Sequence, residues 1–224
     1  MPALFLALAL AANAPQVPCT PQFAPLTTGS YSGSSSAPFW PKALAGTWRG
    51  EGWLGWNFDS TTLQAVRLIV RPQPKAAPGD EDEVTVESQP EVTFAVRCVP
   101  GLSAGSMQSL DVVNDSLAPD RPLTLSLGAR RYGLRVQSSR PDLADARVVL
   151  TDGRRTQVLY STEGVADEPH FDVVWAGDLD RDGELDLVVN LSRKYSVHPY
   201  RLLLSSKAAP NQLVGEAAAF TTSD

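Results

Sequence analysis

The chain has 224 residues, of which 43% are hydrophobic and 20% charged, with 16 glycines and 18 prolines. This composition is too apolar for a wholly disordered protein and too often interrupted by glycine and proline for a helical bundle, and no repeat of fixed period is present, so one domain is expected. Nineteen basic and 25 acidic side chains give a net charge of −6, and because no stripe of lysine and arginine stands out, nucleic acid is not expected as a partner.

Residues 1–14 form an apolar run that ends in Ala12-Asn13-Ala14. Such a run predicts the hydrophobic region and cleavage site of a secretory signal peptide, and it is too short to be a transmembrane segment. No basic residue precedes the run and Pro15 would follow the cut, so a cleavage site one or two residues away and a disordered apolar terminus are the alternatives. We predict a periplasmic or secreted protein.

Residues 15–38 are rich in proline, serine, threonine and glycine. A segment of this kind buries too little apolar surface to offset the entropy lost on ordering, so it is predicted to be a flexible leader. The β domain is then expected to cover residues 39–224.

The chain has two cysteines, Cys19 and Cys98. In an oxidising compartment they could close a long loop as a disulfide, which is the first choice. A free thiol is the second. A lipid anchor on Cys19 is the third, because Gln16-Val17-Pro18 differs from the small apolar tripeptide of lipoprotein signals.

Four tryptophans interleaved with glycines crowd into residues 40–56. Clustered tryptophans can form a sugar-stacking face or a partner-binding hot spot. The favoured interpretation is a strand whose rings fill the core while glycines permit bending or close approach. The four are Trp40, Trp48, Trp53 and Trp56.

Beyond residue 39, short apolar runs alternate with glycine, proline, aspartate and asparagine, and none has a convincing 3.6-residue period. We therefore predict a mainly β fold, an antiparallel β-sandwich or barrel-like single domain. Asp152-Gly153 predicts a tight hairpin turn, and residues 72–82 predict an exposed loop with an acidic tip. The predicted strands are 63–71, 83–88, 91–99, 123–127, 132–137, 147–151, 156–161, 171–176, 185–191 and 200–205.

Residues 178–186 carry aspartates at loop positions one, three, five and nine and a glycine at position six. This pattern is typical of a calcium loop, because alternate side chains converge on the ion and the glycine permits a sharp turn. Magnesium keeps more of its waters and zinc prefers histidine or cysteine, so Ca2+ is the predicted cofactor. The alternative is a solvated acidic turn that binds nothing. The predicted ligands are the side chains of Asp178, Asp180, Asp182 and Asp186 and the carbonyl of Glu184.

The flanks of this loop are rich in β-forming residues, and Val189 stands at position twelve, where a helix-loop-helix hand has glutamate. A strand-loop-strand site is therefore predicted. A single site of this kind in an exported protein favours a structural role, in which the ion pins two strands.

The loop, with Gly177-Asp178 at its start and Leu185-Asp186-Leu187-Val188-Val189 after it, resembles the calcium loops of FG-GAP and VCBS repeat proteins. Only one copy is present, so this chain alone is not expected to build a multi-bladed propeller. The last third of the chain resembles periplasmic bacterial lysozyme inhibitors of the invertebrate-type-inhibitor group and immunity proteins against secreted peptidoglycan hydrolases. The segments that carry this second resemblance are 174–183, 191–197, 202–206 and 213–216.

The second resemblance implies a β-sandwich or barrel-like domain that blocks the catalytic cleft of a lysozyme-like hydrolase with a loop bearing serine and tyrosine. The inhibitory loop of the family has a Ser-Gly-x-Tyr character. Thr28-Gly29-Ser30-Tyr31 is nearest in letters but lies in the leader, whereas Tyr160 and Ser161 are nearest by position. Tyr195 and His198 are further candidate partner contacts. A tyrosine brings a rigid ring with a polar tip, and a charge of −6 attracts a cationic hydrolase.

Catalysis has little support in the sequence. His170 and His198 are the only histidines, and no nucleophile-elbow or metalloprotease motif is present. His170 is expected at a strand end and His198 in a turn. We therefore expect a binding protein and not an enzyme. The alternative is a calcium-stabilised carbohydrate-binding module or glycan hydrolase whose tryptophan-rich segment faces a glycan.

Overall fold

The computed structural model describes residues 19–26, 39–75, 78–79, 82–112 and 115–223. The predicted signal peptide, the Thr28–Tyr31 motif and the tip of the predicted acidic loop lie outside the described residues. The fold is mainly β and its strands are antiparallel, which confirms the predicted fold class. No helix in the described part of the chain has the length and apolar character needed to cross a membrane.

The described residues form 17 strands, a one-turn helix α1 (Lys42–Ala45) and a 3-10 turn (Ser205–Lys207). The strands are β1 (Gln22–Pro25), β2 (Phe39–Pro41), β3 (Gly50–Trp56), β4 (Thr62–Pro72), β5 (Glu83–Gln89), β6 (Phe94–Arg97), β7 (Gly105–Ser106), β8 (Gln108–Ser109), β9 (Asp115–Ser116), β10 (Leu123–Leu127), β11 (Arg130–Gln137), β12 (Arg147–Thr151), β13 (Thr156–Ser161), β14 (His170–Asp178), β15 (Asp186–Ser192), β16 (Val197–Leu204) and β17 (Gly215–Ser223).

The strands form three sheets. The N-terminal sheet has the order β1-β6-β3-β4-β5-β2, with β7 beside β4. The four-stranded sheet has the order β10-β11-β12-β13. The central sheet has the order β17-β16-β15-β14-β8, with β9 also paired to β14.

The central sheet contributes to two separate cores because alternate side chains of a strand point to opposite faces. Trp175 and Leu202 pack into the core shared with the N-terminal sheet. Val173 and Leu187 pack with Leu150 into the core shared with the four-stranded sheet. Every residue of β15 is buried, as expected for a strand covered on both faces. The fold therefore has three layers.

The clustered tryptophans lie in the first of these cores. All four are between 0% and 3% exposed, which confirms the prediction that their rings fill the core. The ring centroids of Trp56 and Trp175 lie 5.7 Å apart, so this pair connects the N-terminal sheet to the central sheet. A Cβ atom on Gly55 would lie 2.7 Å from the side chain of Val92, which explains why a glycine stands beside Trp56.

Part of the predicted flexible leader belongs to this fold. Strand β1 pairs with β6, Phe23 is 1% exposed, and a disulfide joins Cys19 to Cys98 across 79 residues. The disulfide was the first-ranked choice for the two cysteines. The composition of residues 15–38 does not predict strand β1, because the strand has few apolar residues and the rest of the segment is rich in proline and serine.

Of two turns predicted from the sequence, the structure confirms one and contradicts the other. The predicted Asp152-Gly153 hairpin is confirmed, because it joins β12 to β13 and Gly153 has a φ of +85°. The predicted turn at His198 is wrong, since His198 lies in β16 opposite Thr222 of β17. Pro199 does not end the strand because it lies in the part of β16 that pairs with β17 alone, since the pairing with β15 begins at Tyr200.

Candidate metal site and partner surface

The acidic loop joins β14 to β15, and these two strands pair with Gly177 opposite Asp186. Residues at the two ends of the loop are therefore neighbours. Gly183 has a φ of +79°, as the predicted sharp turn requires. Arg181 has a φ of +69°, so the reversal uses a second residue in the left-handed region.

Three of the predicted ligands converge. Asp178, Asp180 and Asp186 each offer one carboxylate oxygen, and these oxygens all lie within 4.8 Å of one another. Asp182 lies outside this group. Its carboxylate accepts hydrogen bonds from the backbone N–H of Glu184 at 2.8 Å and from the Ser205 hydroxyl at 2.6 Å. We refer to the three converging aspartates as the acidic triad.

Backbone amides hold the Asp178 carboxylate in place. It accepts hydrogen bonds from the N–H groups of Arg181 at 2.8 Å, Asp182 at 3.1 Å and Gly183 at 3.1 Å. The loop thus orients this carboxylate through its own turn. Burial raises the pKa of Asp178, and the nearby charges of Asp182 and Asp180 raise it further.

Asp186 is fully buried, with 0% of its surface exposed. Its carboxylate accepts hydrogen bonds from the backbone N–H of Leu179 at 2.7 Å and of Ser205 at 2.8 Å. Burial raises the pKa of Asp186 to about 7, and the adjacent Asp180 carboxylate also raises it. Three carboxylates this close together repel each other, and a divalent cation among them would favour their ionised form.

One oxygen of the acidic triad has no hydrogen-bond partner among the described residues. The Oδ2 atom of Asp180 accepts from the Ser206 hydroxyl, whereas its Oδ1 atom is buried and unpaired. Buried acceptors are normally satisfied by a donor or an ion. A carboxylate oxygen is also the ligand type that a hard cation such as calcium prefers.

The hydroxyl contacts to the loop come from a segment that the sequence analysis did not single out. Ser205 and Ser206 begin the 3-10 turn after β16, and they contact Asp182, Asp186 and Asp180. Serines are frequent in this chain, and nothing near residues 205 and 206 marks them as neighbours of a loop some 20 residues earlier in the sequence.

The acidic loop is attached to both outer layers. The Glu184 carboxylate pairs with Arg130 and accepts a hydrogen bond from the Tyr132 hydroxyl at 3.0 Å, on the four-stranded sheet. The Arg181 guanidinium donates to the Ser103 carbonyl at 3.1 Å and to its hydroxyl at 2.6 Å, beside the N-terminal sheet. The side chain of Glu184 is thus engaged away from the triad, and its carbonyl remains the predicted ligand atom.

The predicted partner contacts fall into two groups. Ser161 ends β13 and is exposed, and Tyr195 is 54% exposed in the turn between β15 and β16. Tyr160 is half-buried, with its ring centroid 5.9 Å from that of Phe171. His198 is only 8% exposed, so its imidazole faces the protein interior and is not presented to a partner.

A groove of about 360 Å³ runs between β13 and β16. Tyr160 and Pro199 line it together with three basic side chains, Arg193, Lys194 and Arg201. Among the described residues, all the large hydrophobic side chains that are exposed lie in this part of the chain. They are Val158 (49%), Val165 (83%) and Tyr195 (54%). We call this groove, together with Tyr195, which directly follows its lining residues Arg193 and Lys194 in the chain, the β13 surface.

At the end of β14 opposite the acidic loop lies a small polar cluster. His170 and His198 have ring centroids 5.2 Å apart, and the side-chain amide of Asn190 lies 3.4 Å from Nδ1 of His198. The Ser116 hydroxyl donates to Asp172 at 2.5 Å. Burial lowers the pKa of His170 and raises the pKa of Asp172.

Comparison with known proteins found no matching family model, no similar curated protein and no similar solved structure. The FG-GAP and lysozyme-inhibitor resemblances therefore remain predictions from the sequence.

Proposed function

We propose that this protein is an exported, calcium-stabilised binding protein that blocks the active site of a lysozyme-like peptidoglycan hydrolase, as a lysozyme inhibitor or an immunity protein. The observation that carries the proposal is the β13 surface. It combines a groove lined by Tyr160 and three basic side chains with the exposed ring of Tyr195, which directly follows two of those basic residues in the chain. Tyrosine and arginine side chains are enriched among the residues that contribute most to protein–protein binding.

The acidic triad supports the calcium part of the proposal. The atoms that would bind the ion are all carboxylate oxygens, and one of them is buried without a hydrogen-bond partner. The loop also has the glycine that a calcium loop needs. A bound calcium ion would offset two of the three negative charges of the triad and fix the junction of β14 and β15. The chain already orients two of the three ligands without an ion, because backbone amides donate hydrogen bonds to Asp186 and Asp178.

The disulfide supports export. Disulfides persist in the periplasm and outside the cell and are rare in a reducing cytoplasm. The Cys19–Cys98 bond, with 5.6 Å between the Cα atoms, ties the start of the described chain to β6. An oxidising compartment is also where peptidoglycan hydrolases act.

The charges of the β13 surface fit the proposed target. Glycoside hydrolases cleave their substrates between two carboxyl groups that flank the scissile bond. Arg193 and Lys194 are exposed and precede Tyr195 directly, so a ring and two cations would enter a carboxylate-lined cleft together. The overall charge of −6 would attract a cationic enzyme over longer distances, and the local cations would pair with its catalytic acids.

The test is the clearing of a cell-wall suspension by enzymes of the known lysozyme types, with and without the purified protein. We expect the wild type to suppress clearing by at least one of them. Tyr195→Ala should weaken inhibition at least tenfold, an effect of the size that a hot-spot residue produces, without lowering the melting temperature. Arg71→Ala, which shortens an exposed side chain on the N-terminal sheet, is the matched control and should inhibit like the wild type.

Suppression of no lysozyme type by the wild type would contradict the proposal. Equal inhibition by the wild type, Tyr195→Ala and Tyr160→Ala would retain the inhibitor but move its contact away from the β13 surface. The alternative of a carbohydrate-binding module predicts retention on insoluble polysaccharide instead. The four clustered tryptophans are buried, so they do not offer the sugar-stacking face that this alternative assumed.

A further inference from the structure

The charge of this protein is divided unevenly between its layers. Residues 123–161, which form the four-stranded sheet, hold seven arginines and three aspartates, a net charge of +4. The remaining residues hold 12 basic and 22 acidic side chains, a net charge of −10. A basic layer on an acidic protein creates a local positive potential that the net charge conceals.

Four of these arginines meet at one end of the sheet. The β10–β11 and β12–β13 turns lie at the same end because β10-β11-β12-β13 is an antiparallel meander. Between the two turns lies an open concavity of about 610 Å³. Its lining consists of Ala129, Arg130, Arg131, Asp152, Arg154 and Arg155. We call it the arginine pocket.

Two of the four arginines have internal partners that fix the walls of the pocket. Arg130 pairs with Glu184 of the acidic loop. Arg155 donates from Nε to Asp152 at 3.0 Å and from Nη1 to the Gln212 carbonyl at 3.1 Å. Asp152, the one acid in the lining, is also held by backbone N–H groups, and that of Arg155 lowers its pKa to about 2. The acid is therefore ionised and already neutralised by its neighbour.

The other two arginines carry the inference. In the part of the chain that the structure describes, the guanidinium groups of Arg131 and Arg154 make no hydrogen bond and no ion pair. Asp152 also accepts a hydrogen bond from the backbone N–H of Arg154 at 2.9 Å, so the turn that presents this side chain is itself held in place. Each guanidinium offers a planar fork of donors that matches a carboxylate or a phosphate.

We propose that the arginine pocket binds an anion carrying two or more phosphate or carboxylate groups, and that Arg131 and Arg154 are its main contacts. A single small oxyanion would leave most of a 610 Å³ concavity empty, whereas a ligand with several anionic groups can reach both free guanidinium groups. This site is separate from the β13 surface, so the inference does not depend on the proposed inhibition of a hydrolase.

Calorimetric titration of the full chain with tripolyphosphate and, separately, with citrate tests the proposal. Both probes chelate calcium, so the buffer is depleted of calcium beforehand and kept at low ionic strength, where charge interactions are least screened. We expect one-to-one binding of at least one probe. The probe that binds more tightly shows whether phosphate or carboxylate is the preferred group.

The variant Arg131→Gln/Arg154→Gln should bind at least tenfold more weakly. The matched control is Arg135→Gln/Arg140→Gln, which removes two charges from the same sheet, with Arg140 beyond its opposite end. The control should bind within twofold of the wild type, and circular dichroism should show both variants folded. Equal losses of affinity in the two variants would show that the probes are held by general charge attraction and would contradict the proposed site. Absence of binding to both probes would contradict it as well.

Discussion

The two outer layers of the molecule pack against the same central sheet but differ in what they bury and what they expose. The N-terminal sheet buries four tryptophans and is tied by the disulfide. The four-stranded sheet buries mainly aliphatic side chains and presents the arginine pocket, and its Tyr160 lines the β13 surface together with residues of the central sheet. Under the two proposals above, the N-terminal layer mainly stabilises the fold and the four-stranded layer contributes to both binding surfaces.

The acidic loop stands where the two layers meet. Arg181 reaches the N-terminal side and Glu184 the four-stranded sheet, while the acidic triad lies between them. An ion bound in the triad would therefore brace the junction of all three layers. The proposed calcium site and the proposed binding surfaces are in this way parts of one arrangement, and variants in each layer can separate their contributions.

The largest effect is expected from Trp56→Ala. Trp56 is 0% exposed, and its ring centroid lies 5.7 Å from that of Trp175 and 5.2 Å from that of Phe94. Truncation should lower the free energy of unfolding by about 3–5 kcal/mol, because it leaves a cavity between two sheets. Denaturant unfolding measures the loss. A smaller loss than in Leu134→Ala, in the other core, would contradict the assignment of stability to the N-terminal layer.

The second effect concerns the acidic triad. Calcium at about 100 times its dissociation constant should stabilise the wild type by about 2.7 kcal/mol. Asp180→Asn should remove most of this increment while leaving the calcium-free protein as stable or more so, because one carboxylate no longer repels its neighbours. Thermal unfolding in calcium and in chelator measures both quantities.

Asp59→Asn, which removes the same charge from an exposed turn, is the control for this experiment and should keep the full increment. Equal melting of the wild type in calcium and in chelator would remove calcium from the proposal. The acidic loop would then be the solvated turn that the sequence left as the alternative.

The features predicted from sequence are those that local chemistry determines. Short apolar runs between turn residues indicated antiparallel β structure, and the spacing of Asp178, Asp180 and Gly183 indicated a tight acidic reversal. Both depend on residues close together in the chain. The geometry of the reversal follows from the positive φ of Gly183 and from amides within the loop.

Features built from distant segments could not be predicted in this way. Strand β1 depends on Phe23 finding a core and on Cys19 meeting Cys98. Ser205 reaches the acidic loop only because β16 lies beside β15. The arginine pocket is invisible in the sequence, since its arginines belong to two turns that only the sheet order brings together.

A third, smaller effect tests the attachment of the acidic loop to the four-stranded sheet. Tyr132 is 2% exposed and its hydroxyl donates to Glu184 at 3.0 Å. Tyr132→Phe keeps the ring in the core and removes this hydrogen bond, which should cost about 1 kcal/mol of stability. Denaturant unfolding with and without calcium measures the change. An unchanged free energy of unfolding would show that the loop does not depend on this layer.

The smallest effect is expected at the other end of β14, where His170 faces Asn190, Asp172 and His198. Burial lowers the pKa of His170, so the native state binds fewer protons than the unfolded state. Stability from this group is therefore fully present above the unfolded pKa of about 6.5 and is lost as the pH falls from there through the lowered native pKa. The raised pKa of Asp172, also caused by burial, acts in the opposite direction at lower pH.

As the pH falls from 7.5 to 5.5, the wild type should lose stability relative to His170→Asn, because asparagine does not titrate, whereas Asp186, whose pKa burial raises to about 7, is present in both proteins. Denaturant midpoints of the wild type and the variant across that range measure the change, and Asp172→Asn serves as the control that leaves the histidine in place. If the wild type lost no stability relative to His170→Asn as the pH fell, the two ends of β14 would differ less than their electrostatics indicate. The acidic loop would then be the one end of this strand whose stability depends on a titrating group or an ion.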